Sequence, residues 1–216
     1  MTIMSYPPYS RAERIADGAV HIAGVALGIA AVIWLLGRGA GSAGWGIWSA
    51  LAIYCATLLA MLCASGLYHL LADTIARPVL RRLDHAAIYF KIAGTFTPLA
   101  VLLGTAFGYL LLGLVWGLAL LGAAAKLMAR RGRMTTGYWP YLALGWLGVA
   151  LFIPLLPHLS WMSLNLILAG GLLYTAGLSF YTWEKLRFAN AIWHVFVMLA
   201  SGCFFAGIAG AVYATA

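Results

Sequence analysis

Several side chains able to bind metal or activate water lie at the ends of long apolar runs in this sequence. Ser65 precedes His69 by four residues, and Asn190 precedes His194 by the same interval. Residues four apart share one face of a helix, so each pair presents its polar groups to the same neighbour. Asp84 begins another apolar run. Imidazoles and carboxylates are zinc ligands, and three of them with one open position activate water for hydrolysis. A nearby serine can hydrogen-bond that water or a substrate carbonyl.

The other three histidines follow the same pattern in part. His21 begins the first apolar run and His85 the third, whereas His158 lies between the fifth and the sixth. If successive helices alternate in direction, all of these polar residues except His158 fall at one end of the bundle. A local interpretation is equally ordinary: Asp84 would cap a helix, and the histidines would hydrogen-bond to backbone or reach toward lipid headgroups. Residue types and spacing leave both interpretations open.

The elements that must position these residues are membrane-spanning helices. Of the 216 residues, 64% are hydrophobic and only 8% are charged, and the mean hydropathy is +0.96. Soluble domains have about 25% charged residues, and disordered chains are poor in apolar residues, so both classes are excluded. The cysteines Cys55, Cys63 and Cys203 lie inside apolar runs and indicate no disulfide framework.

We predict an all-α, polytopic membrane protein in which residues 1–216 form one bundle of seven transmembrane helices. The first apolar run lacks the cationic start and short apolar core of a signal peptide, so we expect it to be retained as a helix. The predicted spans cover about 18–37, 44–71, 84–103, 106–127, 138–156, 160–181 and 190–213.

The basic residues predict the orientation of the bundle. The net charge is +8, and all but two of the 13 Lys and Arg residues fall in the N-terminal arm and in the loops after the second, fourth and sixth spans. Short cytoplasmic loops are enriched in Lys and Arg, so we expect a cytoplasmic N-terminus and an external C-terminus. This distribution explains the charge without nucleic-acid binding.

Lys91 is one of the two exceptions and lies inside the third span. It follows Asp84 by seven residues, two turns along the same helix face. Contact with an anionic lipid or a polar cavity is one interpretation. Snorkelling or a single interior hydrogen bond is the favoured one.

Three motifs, in order along the seven spans, resemble the bacterial hemolysin III family. They are Ser65 to His69 (SGLYH), Asp84 to Pro98 (DHAAIYFKIAGTFTP) and Ala191 to Val197 (AIWHVFV), and Glu13 to Gly24 (ERIADGAVHIAG) resembles the family's approach to its first helix. The wider relatives are the progestin and adipoQ receptors, with alkaline ceramidases more distant. The resemblance covers essentially the whole chain.

This resemblance implies an intramembrane zinc site near the cytoplasmic face. The family pattern has Ser-x3-His in the second helix, Asp in the third and His-x3-His in the seventh. By position, Ser65, His69, Asp84 and His194 match, which makes His69, His194 and Asp84 the implied metal ligands. Asn190 stands where the wider superfamily has the first histidine of the seventh helix.

Asn190 changes what the resemblance predicts. A neutral amide oxygen is a weaker zinc ligand than imidazole, so we interpret Asn190 as a residue that supports a ligand or faces a substrate. Either the affinity for zinc is lower, or His85 or His21 completes the ligand set.

Three functions follow from the resemblance. The first is a zinc-dependent hydrolase of lipid amides or esters, with Asp84 as general base and Ser65 as partner of the water or the oxyanion. The second is a non-enzymatic membrane sensor or homeostasis protein whose zinc is structural. The third is the cytolytic activity of the family name, which seven apolar helices without a polar stripe do not support. We expect membrane lipids as partners and the bacterial inner membrane as the location.

Overall fold

The computed structural model of the chain describes residues 9–39, 44–129, 137–183 and 185–213. Within these ranges it is built from helices and contains no strand. Seven helical segments are long and apolar enough to cross a membrane, which confirms the predicted fold class. Arg130, Arg131 and Arg133, which contribute to the orientation argument, lie outside the described residues.

Six spans are single helices and one is broken. Span 5 consists of two short helices, Trp139–Trp146 and Gly148–Leu155, followed by the 3-10 turn Leu156–His158, and Pro154 lies inside the second of these helices. In chain order the spans are span 1 Arg11–Gly39, span 2 Trp45–Leu70, span 3 Arg77–Leu103, span 4 Ala106–Leu127, span 5 Trp139–His158, span 6 Trp161–Tyr181 and span 7 Ala189–Tyr213.

Span 1 begins seven residues before the predicted start at Gly18. Ser10 and Glu13 form a capping box: the Glu13 carboxylate accepts a hydrogen bond from the Ser10 backbone N–H at 2.9 Å, and the Ser10 hydroxyl accepts one from the Glu13 N–H at 3.3 Å. The helix therefore starts at Arg11. Because of this extension, Asp17 and His21 lie inside the helix, where their spacing of four places them on one face.

Span 3 also begins earlier than the apolar pattern indicates. It starts at Arg77, with Pro78 in its first turn, where a residue without a backbone N–H is well tolerated. Asp84 consequently lies two turns inside the helix and not at its N-terminus. The interpretation of Asp84 as a helix cap is therefore wrong, and its carboxylate is available for contacts within the bundle.

Span 3 is the central helix of the bundle. In its most apolar stretch 67% of the residues are buried, against 17% in span 5. Spans 2 and 4 pack on either side of it, span 1 lies between spans 2 and 7, and span 6 packs along span 7. Glycines permit two of these contacts, because a Cβ at Gly94 would overlap Thr57 of span 2, and one at Gly207 would press on Ile167 of span 6.

Span 5 makes few contacts with its neighbours. Its two short helices contact spans 3, 4 and 6 less extensively than span 2 contacts span 3 or span 6 contacts span 7. This arrangement leaves open space between spans 3, 5, 6 and 7, on one side of the central helix.

Candidate metal centre

Four side chains from three spans converge at one end of the bundle. Asp17 and His21 come from span 1, His69 from the last turn of span 2 and His194 from span 7, and their candidate ligand atoms all lie within 4.8 Å of one another. Asp17, His21 and His194 are each at least nine-tenths buried. The cluster therefore satisfies the first requirement of a metal site, which is several donors gathered at one point.

The carboxylate of Asp17 is the centre of this cluster. One oxygen, Oδ2, lies 2.9 Å from His69 Nδ1, and the other, Oδ1, lies 3.0 Å from His194 Nδ1. His21 Nε2 is 3.6 Å from the same Oδ1. Three imidazoles thus direct a ring nitrogen toward one carboxylate, with ring centroids between 4.2 and 4.6 Å apart.

Glu13 fixes how the starts of spans 1 and 7 meet. Its Oε1 accepts a hydrogen bond of 3.0 Å from the backbone N–H of Phe188, the residue directly before span 7. Phe188 has φ 62°, a left-handed conformation that is uncommon for a bulky residue and needs support from its surroundings. Glu13 is one turn before Asp17, and Phe188 is six residues before His194. The hydrogen bond therefore holds the part of span 1 that carries Asp17 close to the part of span 7 that carries His194.

Asn190 lies at the edge of the cluster, one turn before His194. Its side-chain nitrogen is 3.1 Å from His69 Nδ1, so the amide contacts one of the candidate ligands. The supporting role of Asn190 remains a prediction. Asp17 and His21 of span 1 bring the number of candidate donors to four without it.

The atoms present fit a divalent metal ion such as zinc. Three imidazole nitrogens and a carboxylate are the donor types that zinc binds. His21 Nε2 is buried and has no hydrogen-bond partner among the described residues. Such a buried ring nitrogen is costly without a partner, and a metal ion at the centre of the cluster would supply one.

Asp84 lies outside the group of four. Its Oδ2 is 3.3 Å from His85 Nδ1, and the backbone carbonyl of His85 accepts a hydrogen bond of 3.1 Å from the Tyr141 hydroxyl of span 5. Neither Asp84 nor His85 shares the common centre of the cluster. The role of Asp84 as a metal ligand remains a prediction. Its side chain is buried and lines the open space between spans 3, 5, 6 and 7.

Sequence reasoning assigned His69 and His194 to the site and named His21 only as a candidate for completing it. It missed Asp17, which lies directly before the predicted first span of about 18–37. A usable signal was present, because Asp17 and His21 are four residues apart, like Ser65 and His69. Because the apolar run begins at Gly18, the predicted helix left Asp17 outside, and this signal was hidden.

A large open cavity adjoins the cluster. Its volume is about 2110 Å³, it lies between spans 3, 5, 6 and 7, and its wall includes His69 and His194 but neither Asp17 nor His21. Ser65, one turn before His69, and Asp84 line the same cavity. The cluster thus closes the cavity on one side, with span 1 behind it.

Basic residues surround the end of the cavity where the cluster lies. Span 3, the last turn of span 4 and the segment between spans 6 and 7 contribute these side chains to the lining. They are Arg77, Arg81, Arg82, Lys126, Lys185 and Arg187.

Comparison with known proteins gives a consistent result over nearly the full length of the chain. The family model described as Haemolysin-III related matches residues 10–205. The chain is 39% identical over 197 residues to a protein named Hemolysin-3 homolog from Bacillus subtilis (strain 168), covering 89% of this chain and 91% of the relative. It is 34% identical over 194 residues to Hemolysin-3 from Bacillus cereus, covering 89% of each chain.

Proposed function

The chain belongs to the haemolysin-III-related family, as its motifs predicted, and we propose that it is a zinc-dependent membrane hydrolase of lipid amides or esters. The observation that carries this proposal is that two residues of the cluster, His69 and His194, lie in the wall of a cavity of about 2110 Å³. A metal site that only stabilises a helical bundle needs no cavity beside it, whereas a site that acts on a lipid needs a cavity to hold the substrate.

Asp17, His69 and His194 would hold the zinc ion and leave its fourth position open to water, and His21 lies close enough to occupy that position when the site is closed. Bound there, zinc supplies Lewis acidity, which polarises a carbonyl and lowers the pKa of water toward neutrality. Asn190 lies beside this ligand set, with its side-chain nitrogen 3.1 Å from His69 Nδ1.

The residues that line the cavity next to the cluster perform the remaining chemistry. Asp84 accepts a proton from the attacking water and delivers it to the leaving amine or alcohol. Ser65 donates a hydrogen bond to the carbonyl oxygen, where negative charge develops as water adds. The bond between the carbonyl carbon and the leaving nitrogen or oxygen then breaks, which yields a carboxylic acid and an amine or alcohol.

We place the cluster at the cytoplasmic face of the bacterial inner membrane, with the N-terminus inside. The support is the set of arginines and lysines around the cavity at the same end as the cluster. A substrate would enter the apolar part of the cavity from the bilayer, and water would reach the cluster from the polar end of the cavity.

A structural role for zinc is the second candidate, because the cluster offers four protein donors. Four ligands form a closed tetrahedral site, whereas catalytic zinc keeps one position open. In that case zinc would hold spans 1, 2 and 7 together in a membrane sensor or homeostasis protein. The longest of the three histidine contacts to Asp17 is that of His21, at 3.6 Å, and withdrawal of His21 would open the site.

Three variants of the purified protein separate the two candidates. Zinc content, ceramide hydrolysis and unfolding temperature are measured for Asp84→Asn, His69→Ala and the control His158→Ala. A hydrolase loses activity but keeps zinc in Asp84→Asn, loses both in His69→Ala and keeps both in His158→Ala. Wild-type protein that binds zinc tightly but hydrolyses neither ceramide nor a related lipid ester would overturn the hydrolase, and a lowered unfolding temperature of His69→Ala would then support the structural role.

A further inference from the structure

Lys91 is a charged side chain buried near the midpoint of span 3. It is 4% exposed, so it does not snorkel to either end of the bundle. Its Nζ lies 4.4 Å from the ring centroid of Tyr174 in span 6 and 5.0 Å from that of Phe204 in span 7. In the part of the chain that the structure describes, no carboxylate is within ion-pair distance of Lys91 and no hydrogen bond involves its Nζ.

The surroundings of this ammonium group are those of a ligand site. Lys91, Tyr174 and Phe204 all line the cavity. The nearest acidic residue of span 3 is Asp84, two turns away and about 10 Å along the helix axis. An ionisable residue at this depth is expensive, and two aromatic rings offset only part of the lost hydration. An anion that entered through the cavity would offset the remaining free-energy cost of burying the ammonium group.

The shape and chemistry of the cavity define this anion. Beyond Lys91 its lining becomes apolar, with Phe96, Leu99, Leu155 and Ile167, which suits a hydrocarbon chain. A single ammonium with three donors matches the single negative charge of a carboxylate, whereas arginine is the residue that offers a two-pronged fork to phosphate. We propose that Lys91 binds the carboxylate of a long-chain carboxylic acid whose chain fills the apolar part of the cavity.

This site is distinct from the metal cluster and goes beyond the proposed hydrolysis, although a long-chain acid is also the acyl product of that reaction. The test therefore uses chelator-stripped protein, in which zinc cannot bind the carboxylate. The protein is placed in nanodiscs of phosphatidylcholine, and its unfolding temperature is followed during titration with dodecanoate or with dodecanol. We expect dodecanoate to bind about tenfold or more tightly than dodecanol, because only the acid forms a charge-assisted hydrogen bond.

The matched variants are Lys91→Met, Lys91→Arg and Lys185→Met, the last being a lysine at the polar end of the cavity. The preference for dodecanoate disappears in Lys91→Met and persists in the other two. An equal preference in Lys91→Met and wild type, or none in wild type, would overturn the proposal. Neither outcome depends on whether the protein is a hydrolase.

A spectroscopic measurement covers the case in which Lys91→Met does not fold. The carboxyl carbon of labelled dodecanoate is followed by NMR in wild-type nanodiscs while the pH is lowered. Acid held by Lys91 stays ionised at a pH at which the same acid in empty nanodiscs is protonated. Identical titration curves with and without the protein would refute the site.

Discussion

The two sides of span 3 differ in how closely their side chains are held. At the ends of spans 1, 2 and 7 the candidate ligand atoms of four residues lie within 4.8 Å of one another. A hydrogen bond from the Phe188 N–H to the Glu13 carboxylate joins the starts of spans 1 and 7. Between spans 3, 5, 6 and 7 the helices stand apart around a cavity of about 2110 Å³. The four-residue cluster is closely packed, and the cavity is spacious.

The proposed lipid hydrolysis would require this contrast. Ligands and catalytic groups must be held to within fractions of an ångström, which needs tight packing and supporting hydrogen bonds. A flexible acyl chain is recognised by apolar volume and not by precise contacts. The broken helix of span 5, with few contacts to its neighbours, forms the wall of the spacious side.

The largest expected effect comes from removing the charge at the centre of the cluster. Asp17→Asn keeps the size of the side chain but takes away the anion that faces three imidazoles. We expect the Kd for zinc to rise on the order of 100-fold, measured by competition with a chelator of known affinity.

The control for this variant is Asp73→Asn, which removes an exposed aspartate that pairs with Arg14. Its affinity for zinc should stay close to that of wild type. Equal affinities of Asp17→Asn and Asp73→Asn would show that the cluster is a hydrogen-bonded assembly without a metal.

The second prediction concerns the cavity alone. Gly171 of span 6 lines the cavity, and a Cβ built on it meets no atom within 4 Å. In Gly171→Leu the new side chain fills part of the cavity that the proposed substrate would occupy. The rate of lipid hydrolysis should therefore fall about tenfold while the zinc content stays unchanged.

Gly117→Leu is the matched control, because Gly117 of span 4 is exposed and equally unobstructed but lies outside the cavity. Lipid hydrolysis by this variant should equal that of wild type. If Gly171→Leu and Gly117→Leu have the same activity, the cavity does not hold the substrate.

The sequence allowed the fold class and two of the four cluster residues to be predicted, and the reason lies in the kind of signal each left. Seven apolar runs are a composition signal, and His69 and His194 are part of motifs. Asp17 belongs neither to an apolar run nor to the Ser-x3-His, Asp and His-x3-His pattern. It lies in a polar segment that is helical because Ser10 and Glu13 form a capping box. The cavity depends on how loosely span 5 packs, a property of three-dimensional contacts that no local pattern records.

A smaller effect is expected from the bond that aligns spans 1 and 7. Glu13→Ala removes the acceptor of the Phe188 N–H and one half of the capping box, but leaves all four candidate ligands in place. The affinity for zinc should fall several-fold, clearly less than in Asp17→Asn. Zinc competition on the two variants side by side gives the ranking, and a loss in Glu13→Ala as large as in Asp17→Asn would mean that Glu13 is itself a ligand.

The smallest effect is expected from restoring the histidine that the wider superfamily has at position 190. In Asn190→His an imidazole would stand next to His69 Nδ1, where the amide nitrogen now lies at 3.1 Å. Because Asp17 and His21 already bring the donor number to four, a fifth donor finds no vacant place in a tetrahedral zinc site. The affinity for zinc should therefore change little in Asn190→His alone, yet the same substitution should recover most of the affinity lost in Asp17→Asn. Chelator competition on the single and double variants measures this coupling directly, and additive effects would show that position 190 and the span 1 ligands do not substitute for each other.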